Sequence, residues 1–178
     1  KTGGADFLQK GILQTSTLLK GVVNKENGIK ARDTLSNVAL LDIPAYHKVV
    51  GLTDGGMVMY PTLEQKKDII DNAVEVYKAL GYDNPKVAVL CAVETLNPKM
   101  PETVDAAELK KMNQEGIIKD CVVEGPISFD LALDPEAAKI KGYESPVAGD
   151  ADIIIMPDIS AGNLTSKALT VLGGAMMA

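Results

Sequence analysis

Three short runs of uninterrupted apolar residues constrain this chain most: Val87-Ala-Val-Leu90, Cys121-Val-Val123 and Ile153-Ile-Ile-Met156. A strand with one wet face alternates apolar and polar residues, whereas a strand covered by helices on both faces is apolar throughout. The stretches between the runs have helical spacing. Thr62-x-x-Gln65 is a capping box, and apolar residues at 63, 69, 70, 73, 76, 77 and 80 lead to Gly81, which predicts a helix over 62–81. The order that follows is strand 86–93, helix 102–114, short strand 121–123, helical patch 131–141 with Pro135 near its start, strand 153–156 and helix 162–172. Two earlier strand-like segments, 38–43 and 49–53, flank Pro44-Ala45 and read as a hairpin-like pair. Thr15 or Ser16 caps a first helix that stops near Asn27-Gly28. This is an α/β pattern, with a mostly parallel sheet and helices on both faces.

Composition removes several function classes. The net charge of −6 argues against nucleic acid as a partner. Residues 1–32 nevertheless hold six basic groups (Lys1, Lys10, Lys20, Lys25, Lys30, Arg32) against Asp6 and Glu26, a surplus of four that leaves the rest near −10. A basic segment on an acidic protein suits a small anion. No apolar run approaches bilayer length and no signal peptide is visible, so no membrane partner is expected. Cys91 and Cys121 lie far apart and fall in strand-like runs; they read as inert packing thiols in a reducing, cytoplasmic setting. The chain opens on Lys1 rather than Met and reads as part of a longer protein.

Small and polar residues recur after each strand, where an open α/β sheet forms its crevice. They are Thr53-Asp54-Gly55-Gly56, Glu94-Thr95 with Asn97, Glu124-Gly125-Pro126 and Asp158 through Asn163. Asp54, beside two glycines, is the foremost candidate for a catalytic base. Asp150 and Asp152 read as turn and strand-edge residues, with no third hard ligand nearby, so no metal site is expected. His47, the one histidine, reads as an exposed turn residue, and a histidine-based triad would have to run through it. With Arg32 as the single arginine, an anion has to be held by lysines, hydroxyls and backbone N–H groups. That narrows the candidates to Lys10, Gly11, Gln14, Thr15, Lys20 and a helix start at Gly162-Asn163.

Several stretches resemble the phosphate acyltransferase family, the phosphotransacetylases and phosphate butyryltransferases. They are Lys10-Gly-Ile-Leu-Gln-Thr15, Leu52-Thr-Asp-Gly-Gly56, Pro61–Gln65, Val93–Pro101, Gly125–Asp130 and the Met156–Asn163 turn, in that order. The resemblance implies a two-domain α/β enzyme of the isocitrate and isopropylmalate dehydrogenase type, with residues 1–30 in the first domain and 31–178 in the second, and the site in the cleft. It implies exchange of a short acyl group between coenzyme A and phosphate, by direct attack of the CoA thiolate on the acyl phosphate in a ternary complex. No cofactor is then bound permanently, coenzyme A being a substrate. The partners are acyl-CoA, phosphate and acyl phosphate, and the assembly a homodimer or higher homo-oligomer. The substrate-binding set becomes Lys10, Gly11, Gln14, Thr15, Lys20, Gly125, Pro126, Asp158, Gly162 and Asn163. Lys20 stands where the larger phosphotransacetylases carry an arginine. The family's serine–arginine segment and its aspartate fall beyond Ala178, so the sequence alone is expected to be weakly active. A non-catalytic acyl-phosphate- or CoA-binding domain, and a decarboxylating dehydrogenase of the same fold class, are the competing readings.

Overall fold

The structure is a computed structural model that describes residues 8–178, so Lys1 and Asp6 of the basic segment lie outside the described residues. The chain divides into two compact units, Lys1–Leu35 and Ser36–Ala178. The first contributes one helix, α1 (Thr15–Val22), which buries no residue. Its cap position is Gln14, not Thr15 or Ser16, because Gln14 is extended and its carbonyl accepts the first helical N–H groups. The helix ends before Gly28 because the Asn24 side chain accepts the N–H groups of Glu26 and Asn27 and turns the chain.

The second unit holds strands β1 (Ala39–Asp42), β2 (Val50–Thr53), β3 (Lys86–Leu90), β4 (Val122–Ile127), β5 (Ile153–Ile155) and β6 (Met176–Met177). Between them run α2 (Leu63–Ala79), α3 (Pro101–Gln114), α4 (Phe129–Leu133), α5 (Pro135–Lys141) and α6 (Ile159–Val171). One six-stranded sheet has the order β4-β3-β5-β2-β1-β6. The β4, β3, β5 and β2 pairings are parallel; β1 is antiparallel to both β2 and β6. The hairpin-like pair and the capping-box helix are present, with Thr62 and Gln65 bonded reciprocally. The helical patch over 131–141 is two helices, since Pro135 has no N–H to continue the first and instead starts the second, capped by Asp134.

Strand residues divide between two cores. Val87, Val89, Ile153 and Ile155 pack beneath α2 and α3, through Ile69, Ile70, Ala73, Ala106 and Leu109. Ala88, Leu90, Ile154 and Leu52 pack beneath α4, α5 and α6. Each apolar run therefore feeds both faces, which is why none of them alternates.

The amino-terminal ends of the central strands are tied by ions. Asp150 accepts from His47 and Lys48 at 2.8 Å each and pairs with Lys86; Asp152 pairs with Lys48 at 2.7 Å and accepts the Lys86 N–H. His47 is thus Asp150's partner, and the two aspartates, expected as turn and strand-edge residues, sit just before β5 and also join β2 and β3. Burial opposes ionisation of Asp150, but hydrogen bonds from Lys48, Lys86 and His47 outweigh it and hold the carboxyl well below the usual carboxylate range. A depressed folded-state value means stability that is complete above the unfolded value near about 3.9 and fades as the pH falls through the folded one. Asp150→Asn is expected to lower the melting temperature at pH 7, and the gap to the parent protein to shrink steadily below about pH 4. A gap that stays constant from pH 7 to pH 2, followed by thermal melts, would show that the ion cluster contributes nothing.

Candidate functional site

The parallel strands β2, β5, β3 and β4 end along one edge of the sheet. From β3 the chain leaves through α3 to β4 on one side; from the adjacent β5 it leaves through α6 towards β6 on the other. Neighbouring strands whose connections diverge leave a crevice between their carboxyl ends. A cavity of about 470 Å³ lies there, between the ends of β3 (Leu90, Ala92) and β5 (Met156), with Phe129 of α4 and the Ala161 and Thr165 side of α6 as walls. Among its lining side chains the Thr165 hydroxyl is polar and none is charged. The Cys91 thiol turns to the opposite face, where it meets the Glu102 carbonyl of α3 at 3.4 Å and burial pushes it up to about 12.

The floor of this edge is held by contacts between the β2 and β5 loops. The Met156 N–H donates to the Thr53 carbonyl at 2.7 Å, and Ile159 N–H to that of Met59 at 3.1 Å. Asp54 is buried, and its carboxylate accepts the N–H groups of Gly56 (2.7 Å), Met57 (3.0 Å) and Val58 (2.9 Å). Its acceptor sites organise the turn it belongs to.

The last helix starts at Ile159, three residues earlier than expected, because Asp158 caps it by accepting the Ala161 N–H at 2.9 Å. Gly162 and Asn163 therefore sit inside the helix, and the Gly162 N–H donates to the Asp158 carbonyl at 3.1 Å. A capping carboxylate at this helix start opposes an anion there. Gly162 has another reason to be glycine: a Cβ would lie 2.8 Å from both the Asp54 carbonyl and the Gly55 Cα. Helix and loop touch backbone to backbone, and Asn163 adds one bond from its side-chain N–H to the Gly55 carbonyl at 3.4 Å.

Gly125 and Pro126 also differ from the turn expected of them. The strand continues through them to Ile127, and both are buried. A Cβ on Gly125 would come within 2.9 Å of the Val89 side chain, so the glycine lets β4 approach β3. The polar residues that do follow β3 and β4 form a cluster the sequence reading did not assemble. Ser128 donates to Glu94 at 2.7 Å, and Lys141 bonds Glu94 at 2.9 Å and Asp130 at 3.3 Å. Lys141 first and Ser128 second hold the Glu94 carboxyl below its ordinary value, and Ser128 does most to depress Asp130. Lys10, Gly11, Gln14, Thr15 and Lys20 are all exposed, Lys20 in the last turn of α1. Among the described residues, no group of three His, Cys, Asp or Glu is placed to hold a metal, and no helix is long and apolar enough to cross a membrane.

The family profile described as phosphate acetyl/butaryl transferase matches residues 1–178. The chain belongs to this family. It is 49% identical over 169 residues to a phosphate butyryltransferase of Clostridium acetobutylicum, and 47% identical over 176 residues to a phosphate acetyltransferase of Thermotoga maritima. Those alignments cover 95% and 99% of this chain but 56% and 60% of the relatives, so the chain spans less than two thirds of their length. The fold is similar to that of a branched-chain phosphotransacylase from Enterococcus faecalis, with a TM-score of 0.86, 42% identity, and coverage of 94% of this chain and 59% of that one.

Two neighbouring positions of α6 separate the packing role from the surface role. Gly162→Ala is expected to cost about 1–3 kcal/mol, since the new methyl has only backbone to displace. Asn163→Ala removes one long, exposed bond and should stay within about 0.5 kcal/mol. Urea unfolding of both variants checks this; equal losses would mean that α6 does not rest on the Asp54–Gly55 loop through Gly162.

Proposed function

We propose that this protein takes part in exchanging a short acyl group between coenzyme A and inorganic phosphate, acyl-CoA plus phosphate giving acyl phosphate plus free CoA. The observation that carries the reading is the uncharged crevice between β3 and β5, in a chain of the phosphate acetyl/butaryl transferase family. An apolar pocket suits an acyl chain or the pantetheine arm, and it excludes the water that would hydrolyse an acyl phosphate. In this reading a phosphate oxygen attacks the thioester carbonyl within a ternary complex and the CoA thiolate leaves; in reverse, with coenzyme A as a substrate, the thiolate attacks the acyl phosphate carbonyl and phosphate leaves. Relatives named for acetyl, butyryl and branched-chain groups support a short acyl donor. The parallel sheet with helices on both faces supports the two-domain architecture of the isocitrate and isopropylmalate dehydrogenases.

The expected site residues take different parts in this reading. Asp54 organises the β2 loop, its carboxylate being occupied by three N–H groups, and is a poor base for the thiol. Gly125 and Pro126 continue β4 beside β3, while Gly162 and Asn163 hold α6 against the Asp54–Gly55 loop. Asp158 acts as a helix cap. Lys10 and Lys20, with Gly11, Gln14 and Thr15, remain the groups proposed to take the anionic parts of phosphate or CoA, the first 32 residues carrying the surplus of positive charge. The homo-oligomer implied by the resemblance belongs to the same proposal.

Free thiol release from butyryl-CoA, with and without phosphate and without added NAD or metal, tests the reaction. Phosphate-dependent release is expected. Binding of CoA without any release would favour a non-catalytic CoA-binding domain. In the same assay, Lys20→Gln is expected to raise KM for phosphate or CoA several-fold and to flatten its dependence on salt. Kinetics indifferent to that change would leave Lys20 as a surface lysine.

A further inference from the structure

On the same face of the sheet lies a second cavity of about 620 Å³, lined by Ile43, Tyr46 and Leu133 and by the polar His47, Asp130 and Asp134 among others. Phe129 and Leu169 line both cavities, and they are the side chains common to the two. Phe129 opens α4, directly after Ser128, whose hydroxyl is bonded to Glu94; Leu169 stands on α6 two turns beyond Ala161. The α6 positions 161, 165, 168 and 169 form one stripe at helical spacing and present small side chains towards the end nearer Pro157. Neighbouring Gly162 and Ser166 are buried, so the stripe cannot rotate away from the crevice.

We propose that Phe129, with Leu169 behind it, is the acyl-chain ruler of this protein: Ala161 leaves room for a chain longer than acetyl, and the Phe129 ring stops one that would reach the second cavity. The inference rests on the reaction proposed above, and it names residues that act on substrate selection, not on the chemical step. Apolar burial sets the size of the effect. Each methylene taken from water is worth about 0.8 kcal/mol, roughly a fourfold change in affinity, so two methylenes distinguish butyryl from acetyl by about fifteenfold. Phe129 is 36% exposed, so its truncation opens the wall without hollowing a closed core.

Calorimetric titration of the full chain with CoA, acetyl-CoA, butyryl-CoA and octanoyl-CoA tests the proposal. In the parent protein, butyryl-CoA is expected to bind about fifteenfold more tightly than acetyl-CoA, and octanoyl-CoA no more tightly than butyryl-CoA. Phe129→Ala should raise octanoyl-CoA affinity at least tenfold relative to butyryl-CoA. Ala161→Leu should erase the butyryl advantage over acetyl. If Phe129→Ala fails to fold by circular dichroism, Phe129→Leu makes a smaller opening and should shift the same ratio in the same direction. An unchanged octanoyl-to-butyryl ratio in a folded variant, or equal binding of acetyl- and butyryl-CoA by the parent, overturns the ruler while leaving the reaction standing. Failure of every CoA species to bind overturns the reaction and the ruler together.

Discussion

The second unit depends on β5. Its three isoleucines are fully buried and pair in parallel with β3 on one side and β2 on the other. Ile154 faces α4–α6 while Ile153 and Ile155 face α2 and α3, so one three-residue strand anchors both cores. Its two ends are treated in opposite ways. At the amino end, Asp150 and Asp152 collect Lys48, Lys86 and His47, fixing the register of three strands with paired charges. At the carboxyl end, charge is kept out of the crevice, and backbone contacts between Gly55 and Gly162 hold the loops together. The sheet is therefore tied by ion pairs at one edge, while the other holds an apolar crevice beside the Ser128–Glu94–Lys141 cluster.

Much of this was readable from the sequence where the signal is local. Continuous apolar runs marked the buried strands, and Thr62 with Gln65 marked the start of α2. Gly125-Pro126 misled because a Gly-Pro pair ordinarily means a turn. β4 is an edge strand, and an edge tolerates a proline that a central strand would reject. Asp158 caps α6, and the helix was expected to open at Gly162 because Asp158–Asn163 reads as a polar turn after the strand. The two residues of β6 carry no periodicity; their partners on β1 lie more than a hundred residues away.

The candidate site was legible only in outline. The rule that ligands sit beyond the carboxyl ends of parallel strands points to the edge where the crevice lies, yet the polar residues it singled out serve mostly as caps and turn organisers. Asp54 illustrates the reason: a carboxylate next to glycines is equally suited to accept a proton or to accept three backbone N–H groups, and only the fold decides. The crevice itself is made of Leu90, Ala92, Phe129, Met156 and Ala161, apolar residues from separate elements that no spacing rule connects. Ser128, Glu94 and Lys141 meet for the same reason, through tertiary contact alone.

The central claim is that the acyl-CoA substrate enters the crevice between β3 and β5, on the face covered by α4–α6. Methyl NMR of alanine-labelled protein tests this directly, because alanines mark both faces of the sheet. Butyryl-CoA is expected to shift the methyl signals of Ala92, Ala161 and Ala168, while Ala73 of α2 and Ala106 of α3, in the core of the opposite face, stay in place. Shifts confined to Ala73 and Ala106, or none at saturating ligand, would contradict the account.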